Sequence, residues 1–206
     1  KNYPGSTGSS SFGYIAGGQP GTISSIDRID FSNDTASVSP KGPLSDGRNG
    51  MRAASPKEYG HPQFQTLLSG TYATPNTGYF AGGRLPSYAS SIDRIDYSND
   101  TATASPKGPL SDDRINLAAT SSSSFGYFGG GTGTGAVTIV DRIDYLNDTS
   151  TASPKGPLSA MRTYLAATGN SNFGYFGGGL SGTSKSTVDR IDYSNDTATG
   201  AEKGPL

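Results

Sequence analysis

The sequence predicts an all-β protein built from four repeated, four-stranded antiparallel units. Two internal phrases and the composition carry that expectation. The phrase Asp-Arg-Ile-Asp-(Tyr/Phe)-x-Asn-Asp-Thr begins at Asp27, Asp93, Asp141 and Asp189, and an aromatic-flanked glycine phrase precedes it at 13–18, 78–83, 126–131 and 174–179. Both phrases take their last two steps at 48 residues. A fixed period in the range of about 20–50 residues marks a repeat architecture, because one such unit cannot hide its apolar faces alone and must stack on its neighbours. Only 32% of the 206 residues are hydrophobic and 30 are glycine, yet 12 Tyr and 8 Phe recur in register. That mixture fits thin sheets with many tight turns.

The fourth copy, 162–206, shows the elements in order. Residues 164–168 (Tyr-Leu-Ala-Ala-Thr) read as a short apolar strand, and 169–172 (Gly-Asn-Ser-Asn) as a turn. An aromatic run, 173–176, follows and is stopped by three glycines, 177–179. After a Gly/Ser-rich loop, 188–193 alternates, with Val188, Arg190 and Asp192 on one face and Asp189, Ile191 and Tyr193 on the other. Residues 194–196 form a turn cluster, 197–199 begin a last strand, and Gly204-Pro205 stops it. No segment has a helical period.

The frame gives units of about 1–47, 48–113, 114–161 and 162–206, with 1–13 lining up on 162–174. On this reading the chain holds four whole units, and Pro4 and Gly5, in place of Leu165 and Ala166, leave its first strand the weakest, at an edge. The second unit is longer: Gly42 to Gly78 spans 36 residues, against 18 from Gly108 to Gly126. The extra residues are placed near 47–64, before a strand around 67–71. They include the only histidine, His61, together with Met51, Arg52, Lys57, Glu58 and Tyr59.

A hydrophobic run into Gly-Gly, a gap, Val-x-x-(Ile/Tyr)-Asp, a polar turn, then Pro-x-Gly-Pro-Leu and an arginine resembles the kelch repeat in all four copies. The resemblance implies one four-stranded blade of a β-propeller per unit, with the glycine pair allowing close backbone packing. Four blades predict either a small closed ring or an arc of a larger propeller. Kelch units usually carry a tryptophan in the last strand, and this chain has none. Blade packing must then rest on Tyr and Phe. The near-verbatim phrases also resemble repeat arrays in predicted virion structural proteins of marine bacteriophages, which implies a virion or extracellular setting and a tail, fibre or baseplate part.

Several motifs admit a chemical and a structural reading. The Asp-Arg-Ile-Asp phrase could be a ligand site in each blade, but catalytic sites need asymmetry, and four identical charged pairs fit packing better. On that reading Arg94 and Asp96 pair with each other and with the adjacent blade. Asp192-x-Ser194-x-Asp196 opens like a calcium loop, but Thr197 and Lys203 stand where a glycine and a glutamate are needed, so no metal is expected. Asn33, Asn99, Asn147 and Asn195 lie in Asn-x-Thr sequons at turns and are glycosylation candidates in a secreted eukaryotic protein. The glycine runs lack the following helix or lysine that phosphate cradling requires.

With no cysteine and a single histidine, the chain offers little for catalysis, and no enzyme and no cofactor are expected. A propeller hydrolase using Tyr164 with Arg114 and Arg162 is the remote alternative. A net charge of −1 without a basic stripe argues against nucleic acid, and no apolar run is long enough for membrane insertion.

The expected function is therefore a non-catalytic structural or adhesive scaffold that presents variable loops to protein subunits, including copies of itself in a homo-oligomer or larger assembly. The candidate loops are 19–25, 47–64, 84–91, 132–138 and 180–187, which differ between copies while their flanks do not. Candidate contact residues are Arg52, Glu58, Tyr59, His61, Arg84 and Tyr88. A glycan-binding module, with Tyr72, Tyr88 and Tyr164 as stacking platforms, is the second reading, and an intracellular kelch-type adaptor the third.

Overall fold

The computed structural model describes residues 2–56 and 76–206. They form four four-stranded antiparallel sheets, each a meander whose strands pair in chain order. The first sheet is Gly5–Gly8, Phe12–Ala16, Ile26–Asp30 and Ser39–Lys41. The second is Arg52–Ala54, Thr77–Ala81, Ile92–Asp96 and Ser105–Lys107. The third is Ala118–Ser121, Phe125–Gly129, Val140–Asp144 and Ser153–Pro154. The fourth is Ala166–Gly169, Phe173–Gly177, Val188–Asp192 and Ala201–Lys203. Helical structure among the described residues is limited to single turns at Tyr97–Asn99 and Tyr193–Asn195.

Register gives every sheet two different faces. Tyr79 lies opposite Arg94 and Phe80 opposite Asp93, and the third and fourth sheets repeat this with Tyr127/Arg142, Phe128/Asp141, Tyr175/Arg190 and Phe176/Asp189. Neighbours along a strand point to opposite sides. Tyrosine and arginine therefore share a forward face, toward the next sheet. The phenylalanine and the first aspartate share a backward face.

The core lies between the sheets. One apolar cluster joins Tyr14, Ala16 and Leu44 of the first unit to Met51, Phe80 and Ile95 of the second. The next joins Tyr79 and Leu110 to Leu117, Phe128 and Ile143, and the last joins Tyr127 and Leu158 to Leu165, Phe176 and Ile191. Tyrosine rings stack across the junctions: Tyr14 on Tyr97, Tyr79 on Tyr145 and Tyr127 on Tyr193, with centroids 4.8, 5.0 and 4.7 Å apart. Burying one such aromatic contributes roughly 1.5–3 kcal/mol, so a sheet with a few of them is stable only between neighbours. Tyrosine and phenylalanine supply the aromatic packing between the sheets.

Glycine sets how closely the sheets approach. A Cβ on Gly108 would lie 2.0 Å from the carbonyl oxygen of Ser150 in the next unit. Gly82, at φ +67°, would put one 2.6 Å from the Arg114 carbonyl. Both positions require glycine.

The four innermost strands face a common centre. Just before each stands a residue with positive φ: Tyr3, Gly50, Asn116 and Tyr164. Their backbones form a ladder from sheet to sheet, Gly50 N–H to Tyr3 O, Asn116 N–H to Gly50 O and Tyr164 N–H to Asn116 O, at 2.9, 3.0 and 2.9 Å. Ser6, Arg52, Ala119 and Ala167, one from each sheet, help to line a central cavity of about 440 Å³. The result is four propeller-like blades. Among the described residues no hydrogen bond or ion pair joins the first blade to the fourth, so these bonds leave the set of four open, as an arc.

Three expectations need correction. The first strand of the second blade is Arg52–Ala54, inside the segment assigned to the insertion, so the extra residues fall between Ala54 and Thr77. The strand expected around 67–71 lies outside the described residues. The outer strand of the fourth blade begins at Ala201, because Ala198 is still tied into the turn by its N–H bond to the Asn195 carbonyl at 3.2 Å. Finally, Arg94 does not pair with Asp96: it bonds Asp148 of the next blade, while Asp96 accepts from Ser98 N–H within its own turn.

Candidate interaction surfaces

The charged residues of the repeat fall into two sets, and packing uses both. The first set is wholly buried. Arg48, Arg114 and Arg162 precede the innermost strands of blades two, three and four, and each bonds the first aspartate of its own blade's Asp-Arg-Ile-Asp phrase. Nη2 to Oδ2 is 2.6 Å for Arg48–Asp93 and 2.5 Å for Arg114–Asp141, and Arg162 pairs with Asp189 in the same way. Each arginine also donates to backbone carbonyls at the glycine loop, as Arg114 does to Gly130 and Ile139 at 2.8 and 3.1 Å. Burial lowers the pKa of the Arg48 and Arg114 guanidinium groups, and the adjacent carboxylates oppose that shift. These pairs fasten a blade's entry segment to its own third strand.

The second set joins blades. In blades two, three and four the aspartate of the Asn-Asp-Thr turn inserts among a tyrosine, an arginine and a lysine on the forward face of the preceding blade. Asp100 accepts from Tyr14 and Arg28, both at 2.9 Å, and sits 3.3 Å from Lys41 Nζ. Asp148 takes Tyr79, Arg94 and Lys107 at 3.0, 2.7 and 3.4 Å, and Asp196 takes Tyr127, Arg142 and Lys155 at 3.0, 2.8 and 3.8 Å. Burial acts to raise Asp100's pKa, but hydrogen bonds from Tyr14 and Lys41 and the charges of Lys41 and Arg28 outweigh it and hold the carboxyl below its usual range. Burial and the Asp148 charge push the Tyr79 hydroxyl up to about 12.

The candidate loops are sorted by topology. In each sheet 19–25, 84–91, 132–138 or 180–187 joins the second strand to the third, so all four emerge at one end of the arc. Ala54, at the end of the second blade's first strand, and Thr77, at the start of its second, lie at the opposite end, and 57–64 of the candidate loop 47–64 lies outside the described residues.

Arg84 is exposed and Tyr88 half-buried, and a backbone bridge between them closes a loop at the first end. Arg52 lies elsewhere, in an inner strand, as the one charged side chain among the described residues lining the central cavity. Burial lowers its pKa, and its Nη1 donates to the Met51 carbonyl at 2.9 Å. Glu58, Tyr59, His61 and Tyr72 lie outside the described residues.

The remaining motifs resolve into local structure. Asn33, Asn99, Asn147 and Asn195 are exposed at turns. Asp192 accepts from Ser194 N–H at 2.9 Å while Asp196 serves the blade junction, so the two carboxylates do not converge as calcium ligands. Arg114 and Arg162 are wholly buried in their own ion pairs and cannot meet a substrate beside Tyr164, which is exposed. A second cavity, about 490 Å³, opens at the sequon end between blades three and four, with Phe125, Phe173, Ser123 and Asn172 in its lining.

Sequence reasoning missed the buried arginines. The signal was present: Arg48, Arg114 and Arg162 each stand four residues after the leucine of a Leu-Ser pair, although the two residues just before the arginine change from copy to copy. No protein-family model matches this chain, and no curated protein resembles it closely enough to count as a relative.

Proposed function

We propose that the chain is a non-catalytic structural or adhesive β-propeller of the kelch type, serving in a virion appendage or other extracellular assembly. One observation supports this above the rest: the repeated charged residues form the same ion pairs within blades two to four and at each of the three junctions, so the non-repeated loops carry the chemistry that differs from unit to unit. Four such loops project from one end, on a frame whose joints are ion-paired and aromatic-stacked. That geometry suits multivalent contact with other protein subunits.

A loop graft tests the reading. Replacing 84–88, the exposed and half-buried part of its loop, by the sequence of 180–184 leaves the melting temperature within about 2 °C, as expected of a surface substitution, and abolishes cosedimentation with assembled particles. Cosedimentation equal to that of the parent chain would overturn it. The groove lined by Phe125 and Phe173 favours glycan binding as the second reading, because aromatic faces beside serine and asparagine suit sugar rings and hydroxyls. A glycan-array signal lost in Phe173→Ala would promote it.

A further inference from the structure

Three blade junctions share one design, and each end of the arc carries half of it. The fourth blade presents Tyr175, Arg190 and Lys203 in the register of the earlier trios: Tyr175 opposite Arg190, and Lys203 opposite Val188 as Lys41 is opposite Ile26. The arginine is already in position. Its guanidinium lies 4.4 Å over Phe173, as Arg28 and Arg142 lie 4.2 Å over Phe12 and Phe125. Yet among the described residues no carboxylate comes within ion-pair distance of Arg190 or Lys203.

The first blade carries the other half. Asp34 occupies the sequence position of Asp100, Asp148 and Asp196 and is exposed, with no ion pair among the described residues. Apolar surface follows the same division. Leu206 is 80% exposed, whereas Leu44, Leu110 and Leu158 are 2% exposed, and Phe31 is 52% exposed, whereas Tyr97 and Tyr145 are 8% and 6%. Backbone groups match too. Inside the chain the amides of Gly42, Gly108 and Gly156 donate to the carbonyls of Asp100, Asp148 and Asp196, and the amides of Ala104, Ala152 and Gly200 donate to Pro43, Pro109 and Pro157. The corresponding Gly204 amide and Pro205 carbonyl at one end, and the Asp34 carbonyl and Val38 amide at the other, have no such partner among the described residues.

We propose that the Tyr175–Arg190–Lys203 face binds a second copy of this chain through its Asp34 edge, in a head-to-tail junction that repeats the three junctions inside the chain. Charge, ring stacking and backbone hydrogen bonds all select that occupant. Such a contact is heterologous: it closes two chains into a ring if the rotation permits and extends into a filament if it does not. It uses blade edges and no loop, so it stands apart from the loop-contact reading above.

Sedimentation velocity on the wild-type chain, Asp34→Ala and Arg190→Ala tests the junction, with circular dichroism showing that both variants fold. The wild type associates as its concentration rises. Arg190→Ala weakens that association about five-fold, as at the partly exposed arginines of the internal junctions, and Asp34→Ala, which leaves the arginine and lysine of the socket without their carboxylate, by at least about 30-fold. An equimolar mixture regains a one-to-one complex, because Asp34→Ala keeps the socket and Arg190→Ala keeps the aspartate. A wild type that stays monomeric, a variant that associates like the wild type, or a mixture that stays monomeric overturns the proposal.

Discussion

Replacing Arg114 by methionine tests the buried ion pair at its most informative place, in an interior blade. Methionine keeps the length of the side chain and removes the charge. The change strips Asp141 of its cation, leaves the Gly130 carbonyl without its donor and takes from the Ile139 carbonyl one of two, the Gly130 N–H remaining, all in a region closed to water. Breaking a buried pair by removing one partner costs about 3–5 kcal/mol. In a chain of this size each kcal/mol shifts the midpoint by about 2–4 °C, so thermal unfolding followed by circular dichroism should drop by about 6–20 °C. A second change, Asp141→Leu, removes the stranded charge and should recover most of the loss. A midpoint within about 2 °C of wild type, or no recovery in the double variant, would refute the assignment of Arg114 as a buried structural cation.

Three further outcomes follow from the blade junctions. Arg142→Met, at a partly exposed junction where Asp196 keeps Tyr127 and Lys155, should cost only about 1 kcal/mol by denaturant midpoint. Ala54→Thr should stabilise by roughly 0.5–1.5 kcal/mol in the same assay: Ala54 stands where Thr7 and Thr120 bond Tyr97 and Tyr193, so the buried Tyr145 hydroxyl lacks the threonine that those two tyrosines have. The pH–stability profile should fall at both extremes. Tyr79 and Tyr97 are raised to about 12 by burial, so their contribution is intact below about pH 10 and is lost as pH rises toward the folded values. Asp100 is depressed, so its contribution is present above about pH 4 and is lost as pH falls through its folded pKa. Midpoints that stay flat from pH 8 to beyond the folded tyrosine values would refute the alkaline limb.

The repeat phrases made the sheets legible because period-2 alternation is a local property: Val188 to Tyr193 announces its faces without knowledge of any partner. The partners themselves were not local. Arg94 has an aspartate two residues away, and sequence spacing favoured that neighbour, but same-strand proximity lost to a carboxylate from the following blade. The second blade's first strand was misplaced for a similar reason. Arg52-Ala53-Ala54 is a weak strand signal, and its position is fixed by the buried Arg48 and by Gly50 in the backbone ladder around the centre, both tertiary effects. Among the candidate contact residues, exposure at Arg84 agreed with its loop setting, whereas Arg52 turned out to face the central cavity.

The backbone ladder through Tyr3, Gly50, Asn116 and Tyr164 treats every unit alike, since each link joins the same atoms of successive copies. Duplication or loss of a whole 48-residue module by recombination would therefore preserve every surviving joint. Module number and the coupling between modules are thus independent properties of this backbone.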